Sequence, residues 1–241
     1  MPSPDRFPDT RWSVVLRAGD GETAIRRRAL EELCRTYWLP IYAFARGQGL
    51  SPPDAEDLTQ DVLGGLLKHG DFERIVEGRG KLRSFLRVAT KNHLRSDWRR
   101  ARCQKRGGGA EHLSLDWKDA ERRCVLEPSD DETPDRLFDR HWAINLLHRT
   151  MERLESHYTG EGKGELFAAL KEVLGRKSGG PSYRELAGQL SMSEGAVKVA
   201  VHRLRKRYRT LLRQEIARTL DNESEEAIEE EVRSLFGVFA G

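Results

Sequence analysis

Three aspartates spaced for one face of a helix are the first candidates for chemistry in this chain. Asp54, Asp57 and Asp61 recur at intervals of three and four residues, while Leu58 and Val62 fall on the opposite face. Such a stripe suits a metal ion, a solvated helix start or a basic groove on a protein partner. Because no histidine neighbours the aspartates and a one-sided stripe rarely wraps a cation, we expect no metal site.

Two basic blocks indicate a second kind of chemistry, the binding of phosphate groups. Residues 81–106 hold ten Lys and Arg against one acid, and residues 197–213 hold seven against none. The formal net charge is only +3 because residues 111–135 are acidic and residues 221–231 carry seven acids. Two separate basic blocks suggest two contacts with one polyanion. The alternative is that both blocks are solvated helix faces.

The second basic block lies in a segment that predicts two helices joined by a tight turn. Small Ala187 falls where the two helices must cross closely. The inward positions are apolar: Leu186, Leu190, Met192, Val197, Val201 and Leu204. This is the pattern of a helix-turn-helix, whose second helix enters the major groove of DNA.

The elements that position these residues are predicted to be helical, because strand signals are nearly absent. Ser51 is expected to cap the helix that carries the aspartates, and Pro40 to kink or split the preceding helix. The fold class is therefore all-α. The predicted organisation is a small helical domain (1–106), an acidic linker (107–134), a second small helical domain with the helix-turn-helix (135–220) and an acidic tail (221–241).

Composition argues against several other classes of protein. The cysteines Cys34, Cys103 and Cys124 are odd in number and far apart, so they suggest neither a disulfide framework nor a zinc site. This usage fits a reducing cytoplasm. The first residues lack the apolar core of a signal peptide, and no apolar run approaches a membrane span. We expect a cytoplasmic protein without a membrane contact, a cofactor or a catalytic set of residues.

The order of these motifs resembles bacterial RNA polymerase sigma factors of the extracytoplasmic-function (ECF) group. Residues 57–62 are similar to the family's polymerase-binding helix, residues 81–92 to the part that recognises and opens the minus-ten element, and residues 192–203 to the minus-thirty-five recognition helix. The resemblance covers about residues 12–106 and 142–216. It implies a promoter-specificity subunit that directs core RNA polymerase to promoters and is not itself an enzyme.

The resemblance also implies roles for individual residues. Contacts with core RNA polymerase are expected at Asp54, Asp57, Leu58, Gln60 and Asp61. Contacts with the locally melted minus-ten segment, around a pocket for a flipped base, are expected at Lys81, Arg83, Phe85, Arg87, Lys91, Asn92 and Arg95. Contacts of the helix-turn-helix with double-stranded promoter DNA are expected at Tyr183, Ser193, Glu194, Lys198, Val199, His202, Arg203, Arg205 and Lys206.

Two other functions fit parts of the pattern. A conventional helix-turn-helix regulator would act without core polymerase, and such proteins usually dimerise and read a palindrome. No dimer helix is evident, and the first domain would then lack a purpose. An enzyme such as a nuclease, guided by the helix-turn-helix, is supported only by the acidic stripe.

Two features depart from the usual sigma pattern. Ser191 occupies a turn position where the family usually has glycine, because that position favours a left-handed backbone. The acidic tail 221–241 is extra, and we expect it to form a surface helix that covers a small apolar patch. The alternative is that its acids fold back on the basic recognition helix and weaken DNA binding by the free protein. The resemblance further implies an anti-sigma factor as a partner.

Overall fold

Every regular element that the structure, a computed structural model, describes is a helix, which confirms the all-α fold class. The described residues are 23–68, 81–103, 132–175, 181–220 and 224–240. The sequence also predicts a short helix after Asp9 or Thr10, and this segment and most of the predicted linker lie outside the described residues. In chain order the helices are α1 (Thr23–Gly47), α2 (Pro52–Lys68), α3 (Leu82–Cys103), α4 (Pro134–Gly160), α5 (Gly164–Leu170), α6 (Glu172–Gly175), α7 (Tyr183–Gln189), α8 (Glu194–Ala217) and α9 (Glu225–Gly237).

The chain forms two compact units whose limits differ from the predicted domain limits. Unit 1 comprises residues 1–145 and 216–241, and unit 2 comprises residues 146–215. The first turns of α4 therefore belong with α1 and α3, and so does α9. A physical reason is that several side chains of residues 134–145 and of α9 bond to α1 or α3, as described below.

Unit 1 is built around the pair α1 and α2, with α3 packed against both. Ser51 caps α2 as predicted, because its hydroxyl accepts a hydrogen bond from the backbone N–H of Asp54 at 3.3 Å. The buried apolar side chains include Tyr37, Ile41, Phe44, Leu58, Val62, Leu63, Leu82, Leu86, Phe138 and Trp142. This core fixes which faces of α2 and α3 remain at the surface.

Pro40 does not split α1, which runs unbroken through it. A proline inside a helix has no N–H and leaves the carbonyl four residues earlier without its usual donor. That carbonyl belongs to Thr36, and the side-chain amide of Asn145 donates to it at 2.8 Å and to the carbonyl of Arg35 at 2.7 Å. Of the two expected outcomes, a kink or a split, the split does not occur, because a side chain of α4 satisfies the carbonyl that the proline leaves open.

Unit 2 holds α7 and α8 together through the predicted apolar positions. Leu186, Val197, Val201 and Leu204 are buried in one cluster with Phe167 and Leu170 of α5. Ser182 and Glu185 form a reciprocal capping box at the start of α7, and Ser193 accepts a hydrogen bond from Ala196 at the start of α8. The apolar face thus turns the opposite side of α8 outward.

The turn between α7 and α8 contains Ser191 at φ 50°. This confirms the prediction of a left-handed backbone there, a conformation that costs an L-residue about 1–2 kcal/mol. Ser191→Gly is expected to raise the free energy of unfolding by about 0.5–1 kcal/mol, since glycine removes this strain but loses more entropy on folding. Urea unfolding of the full chain measures it. Ser191→Ala, which keeps the strain, should be nearly neutral, and an equal gain in both variants would contradict the explanation.

Candidate nucleic-acid interface

The aspartate stripe of α2 lies at the surface of unit 1. Asp54, Asp57 and Asp61 are exposed and Gln60 is half-buried. Leu58 is only 4% exposed, so it lies in the core and can support a partner contact only by holding the helix in place. Among the described residues no three His, Cys, Asp or Glu side chains come together as a metal site. The stripe is therefore a surface of negative charge suited to a basic partner.

The predicted minus-ten residues, Lys81 just before α3 and six residues on α3, divide into two groups. Asn92 and Arg95 are exposed beside Val88, and Phe85 is half-buried. The other four, Lys81, Arg83, Arg87 and Lys91, form ion pairs with acids of α4 or α9. The basic face expected to meet DNA is thus partly covered by carboxylates of this same chain.

Arg83 is the most enclosed of these cations, with 8% of its surface exposed. Its Nη1 donates to Oδ1 of Asp139 at 2.8 Å, and its Nη2 donates to Oγ of Ser234 at 2.7 Å. Its Nε and Nη2 donate to the two carboxylate oxygens of Glu231, which is fully buried. The guanidinium also lies 4.7 Å from the ring centre of Trp142, a cation–π distance. Arg83 thus joins α3, α4 and α9.

Lys81 extends the same cluster. Its ammonium lies 2.9 Å from Glu230 and 2.8 Å from Glu231. Burial acts to lower the pKa of Lys81, but the hydrogen bonds to the two glutamates outweigh it, and the pKa lies above its ordinary value. The same bond to Lys81 holds the pKa of Glu230 below its usual range. Lys81 and Glu230 therefore stay charged at neutral pH.

The first turns of α4 supply the remaining acids. Asp139 accepts from Nη1 of Arg87 at 2.9 Å, and Asp135 lies 2.7 Å from the ammonium of Lys91. Pairs of this kind at a half-exposed surface contribute little to stability by themselves, about 0–1 kcal/mol each. They do, however, occupy the cations that a phosphate would otherwise meet.

The position of the acidic tail agrees with the expected surface helix over an apolar patch. Ile228 and Leu235 of α9 are buried, whereas most of its acids are exposed. This helix also places Glu230 on Lys81, the residue before α3, and Glu231 on Arg83 of α3. These cations are not those of the recognition helix that the alternative named, because local patterns carry no signal of which distant cations an acid will meet.

The outward face of α8 presents the residues expected to read DNA. Exposed side chains on this face and at its start are Ser193, Glu194, Lys198, Val199, His202, Arg203, Arg205 and Lys206. Val199 is 51% exposed, so its apolar side chain is available to a partner on this face. Tyr183 is half-buried against the core of unit 2, and Arg205 donates to the carbonyl of Val173 at 3.3 Å. A cationic helix face with one apolar contact has the chemistry of major-groove readout.

A comparison with known protein families shows which family this chain belongs to. A family model described as ECF sigma factor matches residues 57–216, about two thirds of the chain. The chain belongs to the ECF sigma factor family. It is therefore a promoter-specificity subunit of RNA polymerase, in a family of non-catalytic transcription factors whose partners are core polymerase, promoter DNA and anti-sigma factors.

The matched span of the ECF sigma factor model includes α3 and the α7–α8 pair but ends before α9. No curated protein and no solved structure matches the chain. Among the described residues, no helix is both long and apolar enough to cross a membrane.

Proposed function

We propose that this ECF sigma factor binds core RNA polymerase through the aspartate stripe of α2, the melted minus-ten segment through α3 and the minus-thirty-five element through α8. It has no catalytic residues of its own, and RNA synthesis belongs to the polymerase. The observation that carries the proposal is the outward face of α8, where Lys198, Val199 and Arg203 are all exposed on a helix whose opposite face is buried.

The chemistry of α8 suits base recognition within the major groove. Lys198 and Arg203 can donate to the O6 and N7 atoms of guanine, and Val199 can contact a thymine methyl group. Lys206, further along the helix, is placed for phosphate contacts, which supply affinity without sequence information. Unit 2 is therefore proposed to read a duplex element.

The chemistry of α3 suits a strand whose bases have left the stack. Phe85 offers an aromatic surface for stacking, and Asn92 offers an amide for hydrogen bonds to a base edge. Arg95 is exposed and available to phosphate. Lys81, Arg83, Arg87 and Lys91 would add positive charge around this pocket once their carboxylate partners are displaced.

The stripe on α2 is proposed to meet a basic surface of core polymerase. Asp57→Arg is expected to weaken core binding by at least about tenfold, because it replaces an attraction with a repulsion at an electrostatically matched interface. Affinity of the fluorescently labelled full chain for purified core enzyme measures the change.

The matched control for this prediction is Glu155→Arg, which makes the same charge change at an exposed position on α4. It should leave core affinity within about twofold, since an isolated surface charge far from a contact has little effect. Equal losses in the two variants would mean that net charge, and not the α2 stripe, governs the association.

A further inference from the structure

The contact between α9 and α3 has the form of an occupied anion site. The two carboxylate oxygens of Glu231 accept from Nε and Nη2 of Arg83, and one of them also lies 2.8 Å from the Lys81 ammonium. Glu231 has no exposed surface, so its carboxylate is enclosed within the cluster and is not exposed to solvent. The fully buried carboxylate of Glu231 is thus bound by two cations, Arg83 and Lys81.

A guanidinium binds carboxylate and phosphate with the same fork of parallel N–H donors. The cations held by α9 are two of those expected to meet the minus-ten strand. A carboxylate on Arg83 therefore stands where a DNA phosphate would bind, and both cannot occupy the fork together.

We propose that α9 is an autoinhibitory helix, whose Glu230 and Glu231 occupy the DNA-binding cations of α3 until nucleic acid displaces them. This inference rests on the proposed role of α3 in minus-ten binding. It makes free sigma factor a weaker binder of single-stranded DNA than its charge would allow, so stray DNA competes less well before promoter opening.

The contacts of α9 with α3 are strong enough to cover the DNA-binding cations and weak enough for DNA to displace the helix. Its apolar contacts come from Ile228 and Leu235, both buried, whereas Phe236 and Phe239 on the same segment remain exposed. The polar contacts are the ion pairs of Glu230 and Glu231 and the hydrogen bond from Arg83 to Ser234, and a DNA strand offers several phosphates against the two glutamates. Salt should screen the exposed pair of Lys81 with Glu230 but should have much less effect on the buried pair of Arg83 with Glu231.

The test uses full-length protein and a fluorescent single-stranded DNA oligonucleotide, with binding measured by anisotropy at low salt. Glu231→Gln keeps the shape of the side chain but removes its charge, and it should tighten DNA binding about tenfold, the value of one charged hydrogen bond. Glu226→Gln removes the same charge from an exposed position on the same helix and is the matched control. It should change affinity by less than about twofold.

Equal affinities for the wild type and both variants, or equal gains in both variants, would overturn the inference. A second measurement needs no substitution and covers the case in which Glu231→Gln fails to fold. Amide hydrogen exchange of residues 225–237 in the wild type should accelerate when saturating oligonucleotide is added, because displaced helices lose protection. Unchanged protection with DNA bound would overturn the proposal and leave the sigma function standing. Absence of DNA binding in every variant would overturn it together with the proposed role of α3.

Discussion

Trp142→Ala is expected to lower the free energy of unfolding of unit 1 by about 3–5 kcal/mol, the usual loss when a buried large aromatic is truncated. Trp142 is fully buried within unit 1, and Arg83 stacks on its ring. The substitution removes apolar burial, leaves a cavity and deprives Arg83 of its cation–π partner. Urea unfolding followed by far-ultraviolet circular dichroism measures the loss, because helix content reports directly on an all-helical chain.

Phe236→Ala is the matched control for this prediction. Phe236 is also an aromatic of unit 1, but it is 52% exposed, so its truncation should change stability by no more than about 0.5 kcal/mol. Similar losses in the two variants would show that Trp142 does not anchor the packing of α4 in the way the structure indicates. Combining Trp142→Ala with Arg83→Ala should cost less than the sum of the single losses, because the two side chains share one contact.

The double substitution Lys198→Ala and Arg203→Ala is expected to weaken binding to the upstream promoter element by about 2–6 kcal/mol in total, since each base contact is worth about 1–3 kcal/mol. Both side chains are exposed on the outward face of α8, so their removal should leave the fold of unit 2 intact. Binding is measured with a duplex that carries the element and with an unrelated duplex. Discrimination between the duplexes should fall along with affinity.

The control removes two positive charges from exposed positions elsewhere, Arg136 on α4 and Lys171 between α5 and α6. Arg136→Ala with Lys171→Ala should weaken binding to both duplexes slightly and equally, through net charge alone. An equal loss of discrimination in the control would contradict the assignment of Lys198 and Arg203 to base readout.

The sequence was sufficient for the parts of the fold that depend on local pattern. Leu58 and Val62 recur at helical spacing, so they predicted the buried face of α2 and hence the exposed aspartates. The inner positions of α7 and α8 followed from the same spacing, and the need for a left-handed turn residue followed from the resemblance. In these cases a few neighbouring residues decide the outcome.

Features that depend on distant partners were not predictable in this way. The unbroken passage of α1 through Pro40 relies on Asn145, more than one hundred residues away. The burial and ion pairing of Arg83 depend on Glu231, which lies 148 residues further along the chain. Periodicity and propensity describe one segment at a time, so they cannot say which of several acids will meet a given arginine. The candidate minus-ten surface was thus predicted by residue type, but its partial occupation by α9 was not.

The most direct test of the central claim is in vitro transcription with purified core RNA polymerase and genomic DNA, with and without this protein, followed by mapping of transcript starts. We expect new discrete starts that share two upstream sequence elements, with Asp57→Arg abolishing them and Glu155→Arg preserving them. No new starts, together with no association with core polymerase, would contradict the assignment of the chain as a promoter-specificity subunit.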